Sequence, residues 1–293
     1  MTAFEPLCVW PVGAELGEGP VWDAATRMLY FVDIKGRQIH CYDESGAQTS
    51  WPAPQQIGFI LPIAGGGFAC ALEDGLYRFS PDTGAFALLR HIERDMAGNR
   101  FNDGYVDAHG CLWFGSMDNA EAAASGSLYR LDANARLTLA DRGYVITNGP
   151  AMSVDGRTLY HTDTLAKTVF CFDVLPSGGL VNKRVFVTIA GTGHPDGMAV
   201  DASGTVWIAL FGGGRIERYT PSGELIDAIA LPCSNVTKLA FGGADLCTVF
   251  ITTAWKGLEP DARAREPLAG ALFTLRSPVP GQPQYAIAAG AFV

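Results

Sequence analysis

The stretch Met28-Leu29-Tyr30-Phe31-Val32-Asp33 decides the fold, because similar hydrophobic, β-rich runs recur along the whole chain. The later runs start at residues 67, 111, 158, 205 and 248 and read GFACAL, CLWFGS, TLYHTD, TVWIAL and TVFITT. Their starts are roughly forty to forty-seven residues apart, the period of four-stranded propeller blades. Turns such as residues 107–110 and 201–204 precede several runs, and aromatic segments follow most of them.

Six such units fill the chain, so the sequence predicts an all-β fold. We expect one six-bladed β-propeller that spans residues 1–293 as a single domain with a central metal site. No linker or low-complexity tract interrupts the pattern, and only residues 258–267 look like a short helical turn. The sixth unit is short of a strand after residues 285–288. A strand around residues 8–10 is expected to complete that blade.

Composition narrows the classes of function. The net charge is −9 without a Lys/Arg cluster, which argues against a nucleic-acid partner. No apolar run reaches membrane-spanning length, and the first residues lack a secretion signal. The seven cysteines form no Cys-x-x-Cys pair, which is typical of buried, reduced thiols. We therefore expect a cytoplasmic protein, a monomer or weak homo-oligomer, that binds neither nucleic acid nor membrane.

Three short motifs carry the chemistry: LGEGP at 16–20, TNGP at 147–150 and PDGM at 195–198. Each places one oxygen-bearing side chain beside a glycine, immediately before a segment that we interpret as the opening strand of a unit. If the units surround an axis, Glu18, Asn148 and Asp196 converge on one point. Two carboxylates and an amide carbonyl are suitable ligands for a divalent cation. Each motif alone is also typical of a structural turn, and the dipeptides at 148–149 and 196–197 are common turn signals.

Other catalytic signatures are missing from the sequence. It contains no Gly-x-Ser-x-Gly elbow, no His-Glu-x-x-His motif and no glycine-rich phosphate loop. No two of its five histidines are close enough in sequence to suggest a local zinc clamp. A metal site must therefore be assembled from distant segments and be dominated by oxygen ligands.

Together with NRFNDG at 99–104 and FGG at 241–243, these motifs resemble the SMP-30/gluconolactonase/regucalcin-like family over essentially the whole chain. Residues 31–35, 160–164 and 235–238 are most similar to bacterial pentonolactone hydrolases of the xylonolactonase and arabinolactonase type. The family consists of six-bladed propellers that hydrolyse sugar lactones with one divalent metal. The resemblance implies that Glu18, Asn148 and Asp196 are metal ligands, and that Arg100 and Asn102 face the sugar.

One loop departs from the family pattern. Several members have a sugar-binding glutamate after the third unit's strand, whereas direct matching places Ala120 there, with Glu121 next to it. Either Glu121 binds the sugar after a one-residue adjustment of the loop, or Asp118 and Asn119 replace it.

The resemblance implies metal-dependent hydrolysis of a sugar lactone, such as a pentonolactone or gluconolactone, to the aldonic acid. The cation polarises the carbonyl, and Asp196 is the best candidate for the general base. Calcium, manganese, magnesium, iron(II) and zinc all remain possible. The alternatives are a non-enzymatic calcium-binding regulatory propeller, a different ester or phosphotriester hydrolase, and an interaction scaffold.

Overall fold

The computed structural model describes residues 4–292, which form six four-stranded antiparallel sheets. This confirms the predicted six-bladed β-propeller. The strands are β1 (Leu7–Trp10), β2 (Gly17–Asp23), β3 (Met28–Asp33), β4 (Gln38–Asp43), β5 (Gln48–Pro52), β6 (Phe59–Pro62), β7 (Phe68–Leu72), β8 (Gly75–Ser80), β9 (Ala85–His91), β10 (Asn99–Val106), β11 (Leu112–Asp118), β12 (Gly126–Leu131), β13 (Leu137–Tyr144), β14 (Thr147–Met152), β15 (Thr158–Asp163), β16 (Thr168–Val174), β17 (Leu180–Thr188), β18 (His194–Val200), β19 (Val206–Phe211), β20 (Arg215–Tyr219), β21 (Leu225–Ala230), β22 (Asn235–Gly242), β23 (Thr248–Ala254) and β24 (Leu272–Arg276).

Blades 1 to 5 each contain four consecutive strands: β2–β5, β6–β9, β10–β13, β14–β17 and β18–β21. Blade 6 combines β22, β23 and β24 with β1 as its fourth strand. The prediction that residues 8–10 complete the last blade is therefore confirmed. Its placement after residues 285–288 was wrong, because β1 pairs with β24 and residues 285–288 form no strand of that blade.

The recurring runs of the sequence are the second strands of the blades: β3, β7, β11, β15, β19 and β23. Two of these strands, β11 and β19, each carry a buried tryptophan whose indole N–H donates a hydrogen bond to an aspartate of the preceding turn. Trp113 donates to Asp107 Oδ2 at 2.9 Å and Trp207 donates to Asp201 Oδ2 at 3.0 Å. Both tryptophans are fully buried core residues.

The first strand of a blade is its inner strand, and five of the six inner strands have an irregular register. In blades 1, 3, 4 and 5 the inner strand advances by three residues where the second strand advances by two, so the inner strand carries one extra residue. These register shifts lie at Glu18/Val21, Phe101/Gly104, Asn148/Ala151 and Pro195/Met198. A shorter shift in blade 6 falls at Val236/Lys238. Blade 2 is regular throughout its inner pairing. An extra residue leaves the ladder locally and re-aims its side chain.

The segment after β24 crosses the ring at the face where the inner strands end. Gly281 donates to Leu246 O at 2.8 Å, and the Gln282 side chain donates to Met152 O and Val200 O. Ile287 donates to Pro62 O at 2.8 Å. We call this side the sealed face and the opposite side, where the inner strands begin, the entrance face.

The remaining regular elements are short. The helix α1 (Pro260–Arg265) confirms the predicted helical turn, and the 3-10 helix at Ala289–Phe292 follows the crossing segment. All seven cysteines are free thiols, and five of them are buried, as the sequence indicated. In the part of the chain that the structure describes, no helix has the length and hydrophobicity that a membrane crossing requires.

Candidate metal and substrate site

A cavity of about 230 Å³ opens at the entrance face, and all six predicted site residues line it. The inner strands of blades 1, 3, 4 and 5 supply its polar floor, and loops after the second strands supply its rim. Its lining consists of Leu16, Glu18, Arg100, Asn102, Glu121, Ile146, Asn148, Thr164, Leu165, His194, Asp196, Phe211 and Lys256. Side chains far apart in sequence thus share one concave site.

The three predicted metal ligands come from three different blades and are all buried. Glu18 lies on β2, Asn148 on β14 and Asp196 on β18. The Glu18 and Asp196 carboxyl groups are near enough to shift each other's pKa, and Glu18 Oε2 accepts the Gly19 N–H at 2.8 Å. Within residues 4–292, the buried Asp196 Oδ1 has no hydrogen-bond partner. An unpartnered carboxylate oxygen in this position suits a cation.

The electrostatics of the pair also suit a cation. Burial raises the pKa of Glu18 to about 7, and the nearby Asp103 carboxylate contributes to that rise. Burial, and then the negative charges of Glu18 and Asp103, raise the pKa of Asp196 well above its ordinary value. Both shifts mean that the site resists two adjacent negative charges without a positive ion. Because the third ligand is an amide, the described residues contain no cluster of three His, Cys, Asp or Glu arranged for metal binding.

A chain of hydrogen bonds fixes the Asn148 amide. Arg100 donates to Asn102 Oδ1 at 2.6 Å, and Asn102 Nδ2 donates to Asn148 Oδ1 at 2.7 Å. Asn148 Nδ2 in turn donates to Thr164 Oγ1 at 2.9 Å. Its donor group is therefore occupied, which leaves a lone pair of Oδ1 for a ligand. Asn102 is thus connected directly to a candidate ligand atom, besides lining the cavity.

The prediction that these motifs lie immediately before the opening strands was wrong. Glu18, Asn148 and Asp196 lie within inner strands, at the register shifts, where glycine and proline imitate a turn signal. Gly149 has φ +65°, a left-handed conformation that glycine adopts without strain. The shift lets the neighbouring side chain leave the ladder while the strand continues.

The loop after β11 places Glu121 in the lining of the cavity, whereas Asp118 and Asn119 form hydrogen bonds with other parts of the chain. Asp118 accepts backbone N–H groups of Ala120, Ala122 and Ala123, so it holds the loop together. Asn119 Oδ1 accepts a hydrogen bond from Lys35 Nζ at 2.9 Å. Of the three alternatives, Glu121 alone lines the cavity, where it forms an ion pair with Lys256.

Sequence reasoning missed the buried ion pair between Asp103 and Lys238. These residues lie on the inner strands of blades 3 and 6, and Asp103 Oδ1 also accepts the Gly104 N–H at 2.7 Å. A Cβ at Gly197 would lie 2.4 Å from Lys238 Cγ, so the glycine of the third motif makes room for the lysine. No local pattern signals such a contact.

Two further residues, His194 and Lys256, also line the cavity. His194 reaches the cavity with its Nδ1 3.2 Å from Thr164 O, whereas His161 is fully buried and does not line it. Lys256, which follows β23, carried no signal in the sequence because it belongs to none of the motifs.

Comparison with known proteins agrees with this architecture. The model of the SMP-30/Gluconolactonase/LRE-like region matches residues 16–255. The chain is 33% identical over 277 residues to 6-deoxy-6-sulfogluconolactonase of Pseudomonas putida, covering 94% of this chain and 95% of that protein. It is 35% identical over 268 residues to L-arabinolactonase of Azospirillum brasilense, covering 89% and 88%.

A solved structure extends the comparison to three dimensions. The calcium-binding protein regucalcin of Agrobacterium tumefaciens superposes with a TM-score of 0.93 at 30% identity, covering 97% of this chain and 98% of that one. The similarity therefore includes every blade that contributes to the cavity.

Proposed function

The chain belongs to the SMP-30/gluconolactonase/LRE-like family, and we propose that it is a metal-dependent hydrolase of sugar lactones. The observation that carries this proposal is the convergence of Glu18, Asn148 and Asp196 from three blades on one cavity. Relatives named 6-deoxy-6-sulfogluconolactonase and L-arabinolactonase support a sugar lactone as the substrate. The partner is thus a small molecule, a pentonolactone or a gluconolactone, which is opened to the aldonic acid.

Glu18, Asn148 and Asp196 would hold one divalent cation through oxygen atoms. When bound, the cation supplies polarisation of the lactone carbonyl and stabilisation of negative charge in the tetrahedral state. Its identity stays open among calcium, manganese, magnesium, iron(II) and zinc; a calcium-binding relative supports a divalent ion in general.

The chain's own residues would perform the proton transfer and the positioning. Asp196 would accept the proton of the attacking water with the carboxylate oxygen that does not hold the cation. Arg100, Asn102 and Glu121 bind the sugar hydroxyls and orient the ester. Hydrolysis then needs no covalent intermediate on the protein.

A calcium-binding regulatory protein without enzymatic activity is the second candidate. The structural similarity to a protein described as calcium-binding regucalcin favours it specifically. Both functions use the same ligands, so turnover rather than metal binding separates them.

The test is a pH-indicator assay of purified protein against a panel of pentono- and hexonolactones. We expect hydrolysis to stop after treatment with a strong chelator and to return with at least one of the five cations. Full activity in a preparation shown to be metal-free would contradict the metal-dependent mechanism. Metal binding without turnover of any lactone would favour the regulatory function.

A further inference from the structure

His194 lines the cavity but has no part in the proposed mechanism. It is the first residue of β18, the inner strand of blade 5, and it is half-buried. Because the inner strands begin at the entrance face, His194 lies on the mouth side of Asp196. Two residues along a strand span roughly 6 to 7 Å, and both side chains line the same cavity. The imidazole is therefore within the reach of a small molecule that contacts Asp196.

The contact of Nδ1 determines which nitrogen of the neutral His194 ring carries the hydrogen. Nδ1 lies 3.2 Å from the carbonyl oxygen of Thr164. A carbonyl oxygen can only accept, so Nδ1 donates this bond and Nε2 keeps its lone pair. Within residues 4–292, Nε2 has no hydrogen-bond partner and is not sealed inside the protein. His194 thus presents an unused acceptor at the cavity.

The neighbours of His194 hold the ring in place. Thr164 is buried and fixed, because its Oγ1 accepts Asn148 Nδ2 at 2.9 Å and its N–H donates to Ile146 O at 3.2 Å. Phe211 lies opposite His194 in the pairing of β18 with β19 and also lines the cavity. An acceptor that is already held in one orientation loses little conformational entropy when a ligand binds to it.

The chemistry of this acceptor differs from that of the wall formed by blades 3 and 6. Arg100 and Lys256 have only donor groups there, and the carboxylate of Glu121 is paired with Lys256. On the side of blades 4 and 5, Leu165 and Phe211 add apolar surface to the lining. A neutral acceptor beside apolar side chains suits a hydroxyl group, because the hydroxyl donates its hydrogen while the C–H groups of the same ring pack against the wall.

We infer that His194 is a further substrate-binding residue, whose Nε2 accepts a hydrogen bond from one ring hydroxyl of the lactone. This inference rests on the proposed lactonase function and adds a determinant of specificity to it. With the ester carbonyl at Asp196, the hydroxyls on the two carbons nearest to the carbonyl, C2 and C3, are the ones within reach. His194 binds and orients that hydroxyl and takes no proton from the attacking water.

The test uses two parent lactones, arabinolactone and gluconolactone, each with its 2-deoxy and 3-deoxy analogues. An analogue lacks one hydroxyl and leaves the acceptor that bound it without a partner. For the metal-loaded wild type we expect kcat/KM of one deoxy analogue to be about tenfold lower than that of its parent, the size of one neutral hydrogen bond. The ratio of the two kcat/KM values is the quantity that the variants should change.

His194→Phe removes the acceptor and keeps an aromatic ring, so the ratio should fall from about ten to about one. His194→Gln keeps an acceptor near the position of Nε2 and should recover part of the ratio. His109→Phe is the matched control, because His109 is exposed at the turn between β10 and β11, on the sealed face. Calorimetric titration should give the wild-type metal affinity in all variants, since His194 is not a proposed ligand. Thermal melts check folding, and His194→Leu replaces His194→Phe if the latter does not fold.

The outcomes separate this inference from the proposed function. Wild-type protein that hydrolyses every analogue as well as its parent, or a ratio that survives in His194→Phe, would show that no hydroxyl is bound by His194. A fall of kcat by the same factor for parent and analogue would assign His194 to the proton transfer instead. In these cases the lactonase function stands, whereas hydrolysis of neither parent lactone with any of the five cations would overturn both.

Discussion

Blade 2 and the other five blades differ at their inner strands, although all six share one architecture. In blade 2 the strand Phe59–Pro62 pairs with its neighbour without a register shift. Its side chains are all apolar, and none of them lines the cavity. In blades 1, 3, 4 and 5 a shift occurs beside Glu18, Asn102, Asn148 and Asp196. Blade 6 has its shift beside Lys238.

The difference teaches where this fold places its chemistry. A regular strand alternates its side chains between two faces and must keep every residue in the ladder. A register shift releases one residue, so that a polar side chain can turn toward the axis while its neighbours stay paired. Blade 2 contributes packing through Phe59, Ile60 and Leu61, and the shifted blades contribute the site.

The largest effect is expected from Asp196→Asn at the blade 5 shift. Asparagine keeps an oxygen and nearly the same shape but cannot accept a proton at neutral pH. Turnover should fall by roughly 10² to 10⁴, the usual contribution of a positioned general base. Stopped assays of kcat, with metal content measured in the same samples, check the result.

An empty site would imitate a missing base, so only metal-loaded Asp196→Asn samples count. If they turn over at nearly the wild-type rate, Asp196 is not the base, and His194, which lines the same cavity, is the next residue to replace.

A smaller effect is expected from Asn102→Ala at the blade 3 shift. This change removes the N–H that orients Asn148 Oδ1, so metal affinity should fall by roughly 10- to 100-fold, as for other residues that orient a ligand. Asn119→Ala is the matched control, because that amide contacts Lys35 rather than a candidate ligand. Calorimetric titration with each cation measures the affinities. Equal affinities in the two variants would show that the shift in blade 3 does not support the metal.

The smallest effect concerns a polar residue on a regular strand. His161 lies on β15, is fully buried, and neither ring nitrogen has a partner within residues 4–292. Burial lowers its pKa from 6.5 to about 3. As the pH falls below about 6.5, this histidine is protonated in the unfolded chain but stays neutral in the folded chain. The folded state therefore loses stability as the pH falls from about 6.5 toward 3.

In His161→Phe that loss is absent. Between neutral pH and about pH 4 the melting temperatures of both proteins should fall, because other groups also titrate in this interval. The melting temperature of His161→Phe should fall by a few degrees less than that of the wild type. Lactone hydrolysis at neutral pH should not change, because the residue does not line the cavity. His109→Gln, at an exposed position, is the control. A loss of turnover in His161→Phe would contradict the separation between shifted and regular strands.

The sequence was sufficient to predict the repeat and the composition of the candidate site, but not the local backbone. The runs at 28–33 and 158–163 match β3 and β15 at both ends, because β-branched and aromatic residues repeat there with blade spacing. The inner strands were mistaken for turns, since Gly19-Pro20 and Gly149-Pro150 carry the usual turn signals.

Contacts between residues on different blades could not be predicted from sequence patterns. Glu121 could be chosen over Asp118 and Asn119 only after the hydrogen bonds of the latter two were seen. The pair of Asp103 and Lys238 joins opposite blades, and neither residue carries a local sign of the other. Tertiary packing, rather than propensity, sets such pairs.

The pairing of β1 with β24 has a consequence for synthesis in the cell. A ribosome releases β1 first and β24 almost last, so blade 6 stays incomplete while most of the chain is already made. During that time the unpaired edges of the nascent blades are open to association with other chains, and a chaperone would protect them. Glu18 and Asp196 also meet only when the ring closes. Binding of the proposed cation would therefore be a late step of maturation.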